Sequence, residues 1–523
     1  MKTTTTLFTV CTREAILASS LSFLLISSTS FAGNGASATP WKNAEVSVAT
    51  LDTGSVPDPC YNQYDAYTPT LFGAGVPFSL GTTSSATSLE LINSSSLTCG
   101  TATVGTGSES DATQGSHNIL SIDNSTFTAG SEFVAGGFGT DNAVNLTNAG
   151  KLLCSGLKIG AAATGDDNRI NVQHAGSTVT VSGDIHVGYA GTRSSFWIAA
   201  GANVTGVNAI IGSNNTSDVS HLTVDGAGAS LALTGNLTCG NLGTYANLDV
   251  ALGGTLSCAN LYTGAKSSGT NSGVEIFGTG ATDTATKVTV TGNVNIGNDG
   301  AFSSLALSGG ANLDCASFRI GYSQWTHDNS VEVTGTGATD TSTVLKATGS
   351  LYVGMSAARN DLYVHDGGDV SATSAYVGYF GGSDNNTLTI SDDGSTFTAS
   401  GTLDFGNGGS GNSLKVIKGA SLDTDYFYIG SGSNGEVTHG RYNSVFVSGS
   451  GTTLAATSEI QLGIYGLGNT LTLADSATLT TASLELGSAS SANHNVLTVT
   501  GSSTAATVTN SHIGDEGSSN SLL

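Results

Sequence analysis

After Pro77 the chain contains no proline: Pro40, Pro57, Pro59, Pro69 and Pro77 are all five of them. Proline cannot donate to a strand ladder, so its absence from the remaining run is what a long continuous sheet requires. Charge is scarce as well, at 10% of residues, which is too little for a solvated helical surface. The 39 acidic and 15 basic residues leave a net charge of -24, and no block of Lys or Arg occurs. Binding to phosphate backbones needs the opposite sign, which excludes nucleic acid as a partner. Beyond the first 32 residues no stretch is apolar enough for a membrane helix. The seven cysteines form no Cys-x-x-Cys pair and have no clustered histidines beside them, so neither a metal nor a cofactor is expected.

Glycine, by contrast, is abundant at 72 residues, and the apolar residues keep strict periodicity. The pattern is clearest from Asn360 to Gly406. Asn360-Asp-Leu-Tyr-Val364 precedes a Gly pair and then Ala375-Tyr-Val-Gly378, while Asn386-Thr-Leu-Thr-Ile390 precedes Gly394 and then Leu403-Asp-Phe-Gly406. Apolar/polar alternation in short runs bounded by Gly, Asn, Asp and Ser reads as half-buried β-strands, and a fixed recurrence reads as a solenoid. The skeleton extends from Leu89 onward, with apolar pairs such as Leu120/Ile122, Leu222/Val224, Leu414/Val416 and Leu471/Leu473 opening the units. Glycines from Gly105 to Gly514 close them, and a 24-residue unit such as Gly354 to Gly378 alternates with a longer one such as Gly378 to Gly406. Three short strands per 24 residues give an all-β parallel β-helix of about 16 coils, on the order of 75 Å long at a strand spacing of about 4.8 Å. The extra residues are expected between the first and second strands, as in Gly278-Thr-Gly-Ala-Thr-Asp-Thr284 and its near copy Gly335-Thr-Gly-Ala-Thr-Asp-Thr341.

Residues 1–32 read as a secretory signal. Lys2 and Arg13 make the start basic, Ala15 to Ile26 is apolar but too short to span a bilayer, and Ser30-Phe-Ala32 is a small-x-small cleavage site. Residues 33–86 read as a linker and N-terminal cap with an aromatic cluster of Tyr61, Tyr64, Tyr67 and Phe72. Residues 87–523 are the repeats, which stop at Asn520-Ser-Leu-Leu523, inside the first strand of a new coil.

Val331-Glu-Val-Thr-Gly-Thr-Gly-Ala338, Gly349-Ser-Leu-Tyr-Val-Gly354 and Asn386-Thr-Leu-Thr-Ile-Ser-Asp-Asp-Gly394 resemble the repeat associated with type V secretion (autotransporter passengers) and PEP-CTERM proteins. The resemblance covers most of the chain after Leu89. It implies a secreted or cell-surface bacterial β-helix and no chemistry, since that repeat carries no catalytic motif. A right-handed coil follows from this likeness and from the general handedness of parallel crossovers.

Several residue sets are candidates for more than scaffolding. An Asn recurs two positions before the first apolar residue of a coil, as at Asn329, Asn360, Asn386, Asn412, Asn443 and Asn469. Asn tolerates the left-handed conformation of a sharp corner and stacked amides bond from coil to coil, so the expectation is a structural ladder. Cys99, Cys154, Cys258 and Cys315 each lie six residues before a closing glycine, in a slot filled elsewhere by Gly206, Ala372, Thr424 and Thr481. They read as small core residues, because coils two rungs apart are too distant for a disulfide. Whether Cys60 reaches Cys99 depends on the cap. Gly136-Gly-Phe-Gly-Thr-Asp141 is a single copy of a calcium nonapeptide that works only in tandem, and Asp392-Asp393 reads as a corner.

Outward positions of the closing strands place Arg319, Tyr352, Tyr376, Asp404 and Tyr428 on five successive coils as one strip. Tyrosine faces stack on sugar rings while Arg and Asp fix hydroxyls, so the expected partner is a surface polysaccharide or another cell-surface protein. With one central acid on that strip, no catalytic residue is assigned and the expected role is structural or adhesive. The alternative is a polysaccharide-active lyase or glycoside hydrolase on the same scaffold.

Overall fold

Alternating runs without proline bury one face and leave their backbone groups to be paired by neighbouring strands, and stacking on the next copy of the repeat meets both demands. The computed structural model of the chain describes residues 75–523 apart from 82–85, 110, 112–113, 280–285, 338–342 and 433–438. It also gives the backbone of short strands at Ile26–Ser27, Glu45–Val46, Thr50–Leu51 and Cys60–Tyr64. The signal segment otherwise lies outside the described residues, as does most of the linker and cap. The chain is all-β, with parallel strands stacked as a β-solenoid of about 16 turns. It divides into two compact units, one ending near Asp249 and the other running from Ser257 to Leu523. Among the described residues no helix is long and apolar enough to cross a membrane.

In the first unit Leu89, Leu120, Val144, Ile170, Phe196 and Leu222 stand in register on successive first strands, all buried. The second unit repeats this with Val274, Leu305, Val331, Leu362, Leu388, Leu414, Val445, Leu471 and Leu497. Burial of each such side chain contributes about 1.5–3 kcal/mol. Second and closing strands form the other wall, and from Val344–Val353 onward they run together as strands of 9 or 10 residues with a register shift at the bend. Phe78–Leu80 already pairs in parallel with Ala102–Val104, and the Cys60–Tyr64 backbone pairs with Thr87–Leu91.

The coil corners are built from two neighbouring positions. The amide Oδ1 of each Asn accepts both the backbone N–H and the Nδ2–H of the Asn one coil earlier. In the first unit Asn118 bonds Asn142, and Asn142 bonds Asn168, at 2.9 Å throughout. In the second unit the same pair of bonds runs without a break from Asn329 through Asn360, Asn386, Asn412, Asn443, Asn469 and Asn495 to Asn520. All of these side chains except Asn520 are buried. The Asn is not the left-handed residue. That role falls to the residue before it, with φ of 54° at Asp328, 56° at Arg359, 56° at Asn385 and 53° at Tyr442. In the first unit even Val219, at 56°, takes it.

Between the two Asn runs the slot holds Ser194, Ser220 and Ala246 in the first unit and Ser272 and Ser303 in the second. The buried hydroxyls of Ser194, Ser220 and Ser303 have no hydrogen-bond partner. A shorter side chain keeps the steric fit of the slot and forfeits its amide bonds.

The longer coils gain residues at more than one place, including the bend between second and closing strands, where Ala399 to Leu403 pairs with Ala372 to Ala375. The corner from Gly378 to Asn386 is two residues longer than that from Gly354 to Asn360, so part of the excess lies after the closing strand. The expected loop residues at 280–284 and 338–341 lie outside the described residues.

Cys99, Cys154, Cys239, Cys258 and Cys315 are buried cysteines outside any disulfide. Cys99, Cys154 and Cys315 end second strands in register with Ala129, Val181 and Ala347, so the slot takes small and medium side chains. Burial pushes each of these three thiols up to about 12, which leaves them inert packing groups.

Candidate binding strip

The closing strands of the second unit carry a buried residue on either side of each outward one, as in Leu351-Tyr352-Val353 and Ala375-Tyr376-Val377. Their register aligns Arg319 with Tyr352, Tyr352 with Tyr376, Tyr376 with Asp404 and Asp404 with Tyr428, in the order expected from the sequence. The side chains are not all presented alike. Tyr352 and Tyr376 stack with ring centroids 4.9 Å apart and planes 14° from parallel. Both also meet Tyr379 edge-on, at 5.4 and 4.7 Å.

Tyr379 follows the closing Gly378 and touches Phe380, which is 48% exposed. Arg319 lies over the ring of Tyr322, 5.6 Å from its centroid, with Tyr322 itself 40% exposed. The Arg319 Nη1–H donates to Asn295 Oδ1 at 3.3 Å, while its Nε has no hydrogen-bond partner. Tyr322, Tyr379 and Phe380 were not in the sequence-based set. They sit in corners, where apolar alternation gives no signal, and the clue available was their position just after a closing glycine.

Asp404 behaves differently from its neighbours. It is only 7% exposed, and its two carboxylate oxygens accept from Ser431 Oγ at 2.5 Å and Asn407 Nδ2 at 2.7 Å. Its carboxylate is therefore spent on the corners of its own coil and the next, not offered outward. This divides the strip into a main patch of Arg319, Tyr352, Tyr376, Tyr379 and Phe380 and a smaller one of Tyr428 with Tyr426, whose rings are 6.1 Å apart.

Burial raises the Asp404 carboxyl above its ordinary value, against the opposing pull of the Ser431 and Asn407 hydrogen bonds. A raised folded-state value means a stability contribution present below the unfolded carboxyl range and lost as pH rises through the folded value. Asp404→Asn is accordingly expected to gain stability relative to the parent as pH rises from 3 to 7. Paired thermal unfolding across that range checks this; a difference that stays flat or shrinks with pH would contradict it.

Burial also raises the Tyr376 and Tyr428 phenols, so both remain neutral hydrogen-bonding groups at neutral pH. The arrangement can offer flat aromatic faces, phenolic hydroxyls and one guanidinium. No family model, curated protein or solved structure matches the chain.

Proposed function

We propose that the chain is an exported, cell-surface or extracellular β-solenoid with a structural and adhesive role, and that the tyrosine patch of its second unit holds a glycan. The observation that carries this reading is the stacked pair Tyr352/Tyr376 with Tyr379 edge-on, in register with Arg319 on the preceding coil. A rigid sheet holds these rings in a row, and their outward edges, phenols and the neighbouring guanidinium supply apolar contact and hydroxyl partners to a sugar chain. The signal-like residues 1–32 and the resemblance to secreted passenger repeats support export.

The two acids at the strip's own outward positions, Asp404 and Glu485, do not form a hydrolytic pair. Asp404 is occupied, and Glu485, which accepts from Gln461 at 3.0 Å, lies three rungs away in register. Three rungs are about 14 Å, beyond the roughly 10 Å limit for a pair of hydrolytic carboxyls. The test is retention on a panel of surface polysaccharides with product detection in the same wells, using the mature chain and a Tyr352→Ala/Tyr376→Ala/Tyr428→Ala variant. Retention without products, lost in the variant, is expected. Reducing or unsaturated sugar products, or no retention on any polysaccharide, would overturn the reading.

A further inference from the structure

Away from the tyrosine patch, the corner that follows the first strand brings together His365, Asp366 and Asp392. The first two come from one coil and Asp392 from the next, because pairing of Val364 with Ile390 sets the two corners one above the other. One ligand-capable atom from each of the three lies within 4.8 Å of the others. His365 is the best held of them, with its side chain 13% exposed and its ring stacked on Tyr363 at 4.1 Å.

Its Nε2 faces Glu332 Oε1 at 2.7 Å and Thr334 Oγ1 at 3.0 Å, both from the preceding coil. Its Nδ1 faces Asp366 Oδ2 at 2.9 Å. A carboxylate behind one ring nitrogen and acid groups around the other is how a metal-binding histidine is held: the rear partner fixes the tautomer and the ring plane.

We propose that His365 Nδ1, Asp366 and Asp392 form a site for a divalent transition metal of the zinc type, with Glu332 as the positioning residue behind the histidine. The imidazole selects a first-row transition ion over calcium or magnesium, which prefer all-oxygen shells. A four-coordinate ion with bonds of about 2.0 Å holds its donors about 3.3 Å apart, so the ion draws Asp392 inward by a side-chain rotation. The Lys418 ammonium, 3.3 Å from Asp392 Oδ1 with a side chain 64% exposed, swings away as the ion enters. Ser391 Oγ–H, which donates to Asp392 Oδ2 at 2.8 Å, keeps its bond and steadies that carboxylate. Bound there, the ion ties two successive coils together at a corner.

The test is calorimetric titration of the whole chain with Zn²⁺, in 150 mM salt and millimolar Mg²⁺ to fill diffuse sites on the acidic surface. Thermal unfolding is followed in parallel. The expected result is one saturable site per chain that raises the melting temperature. Asp392→Asn and His365→Gln should each weaken it at least tenfold, and Asp393→Asn, on the neighbouring exposed carboxylate, should leave it unchanged. Asp392 sits at a surface corner, so its variant decides the matter even if His365→Gln does not fold. No stoichiometric uptake, or uptake equal in Asp392→Asn, would overturn the proposal.

Discussion

Asn386→Ala is expected to destabilise the second unit by on the order of 3 kcal/mol. The Asn386 Oδ1 accepts from Asn360 N at 2.9 Å and Asn360 Nδ2 at 3.0 Å, and its own Nδ2 donates to Ser383 O at 2.8 Å and Asn412 Oδ1 at 3.2 Å. Alanine leaves the buried Asn360 N–H without its acceptor, and an unsatisfied buried donor costs about 1–3 kcal/mol beyond the bonds themselves. Asn386→Asp fails for a different reason. Its second oxygen would point at two acceptors, Ser383 O and Asn412 Oδ1, so its cost grows as pH rises through the carboxyl range. Thr389→Ala, on the outward face of the same strand, is the control and should change little. Denaturant unfolding of the set, read by far-UV signal, checks the order. A midpoint for Asn386→Ala equal to that of Thr389→Ala would remove the ladder from the account.

Gly354→Ala is expected to cost more still, about 4 kcal/mol or above, because two penalties coincide. Gly354 has φ of +72°, a conformation that costs an L-residue roughly 1–2 kcal/mol. A Cβ there would lie 2.2 Å from Asn386 Nδ2 and 2.3 Å from its Cγ, driving the amide out of the ladder. The two sites are therefore coupled. In the double variant Gly354→Ala/Asn386→Ala the clash disappears, and the combined loss should fall short of the sum of the singles by more than about 0.5 kcal/mol. Gly212→Ala provides the comparison. Its φ is +69°, but the slot opposite is Ala246, whose Cβ would be 3.3 Å away, as would the Ser217 carbonyl oxygen, so the steric part is far smaller and the backbone penalty dominates. Strict additivity in the double variant, or equal losses at Gly212 and Gly354, would contradict this.

Much of this architecture was legible because the closing glycines fix the count. With Gly354, Gly378 and Gly406 located, the positions two before them fall on Tyr352, Tyr376 and Asp404, and the structure pairs those residues in register. What alternation could not show is where a side chain turns once it leaves the strand plane. Asp404 occupies an outward position by count and is drawn in by Ser431, 27 residues away, and by Asn407.

The left-handed corner residue was equally hidden. Asp328, Arg359 and Tyr442 share a conformation but no side-chain character, because the backbone position is set by the coil and only the next residue is selected for its amide. The grouping of His365 with Asp392 is likewise a product of stacking: their separation in the chain has meaning only once the register is known.

The most direct measurement of the functional account is a titration of Tyr376→Ala against the parent chain, with the polysaccharide that the parent retains and with thermal unfolding recorded for both. Tyr376 stacks on Tyr352 and meets Tyr379, so its loss removes the middle of the patch while the buried Ala375 and Val377 beside it stay in place. The account predicts at least a tenfold loss of affinity, about 1.4 kcal/mol, with little change in melting temperature, and a smaller loss for Tyr428→Ala beyond Asp404. Unchanged affinity in Tyr376→Ala would contradict it.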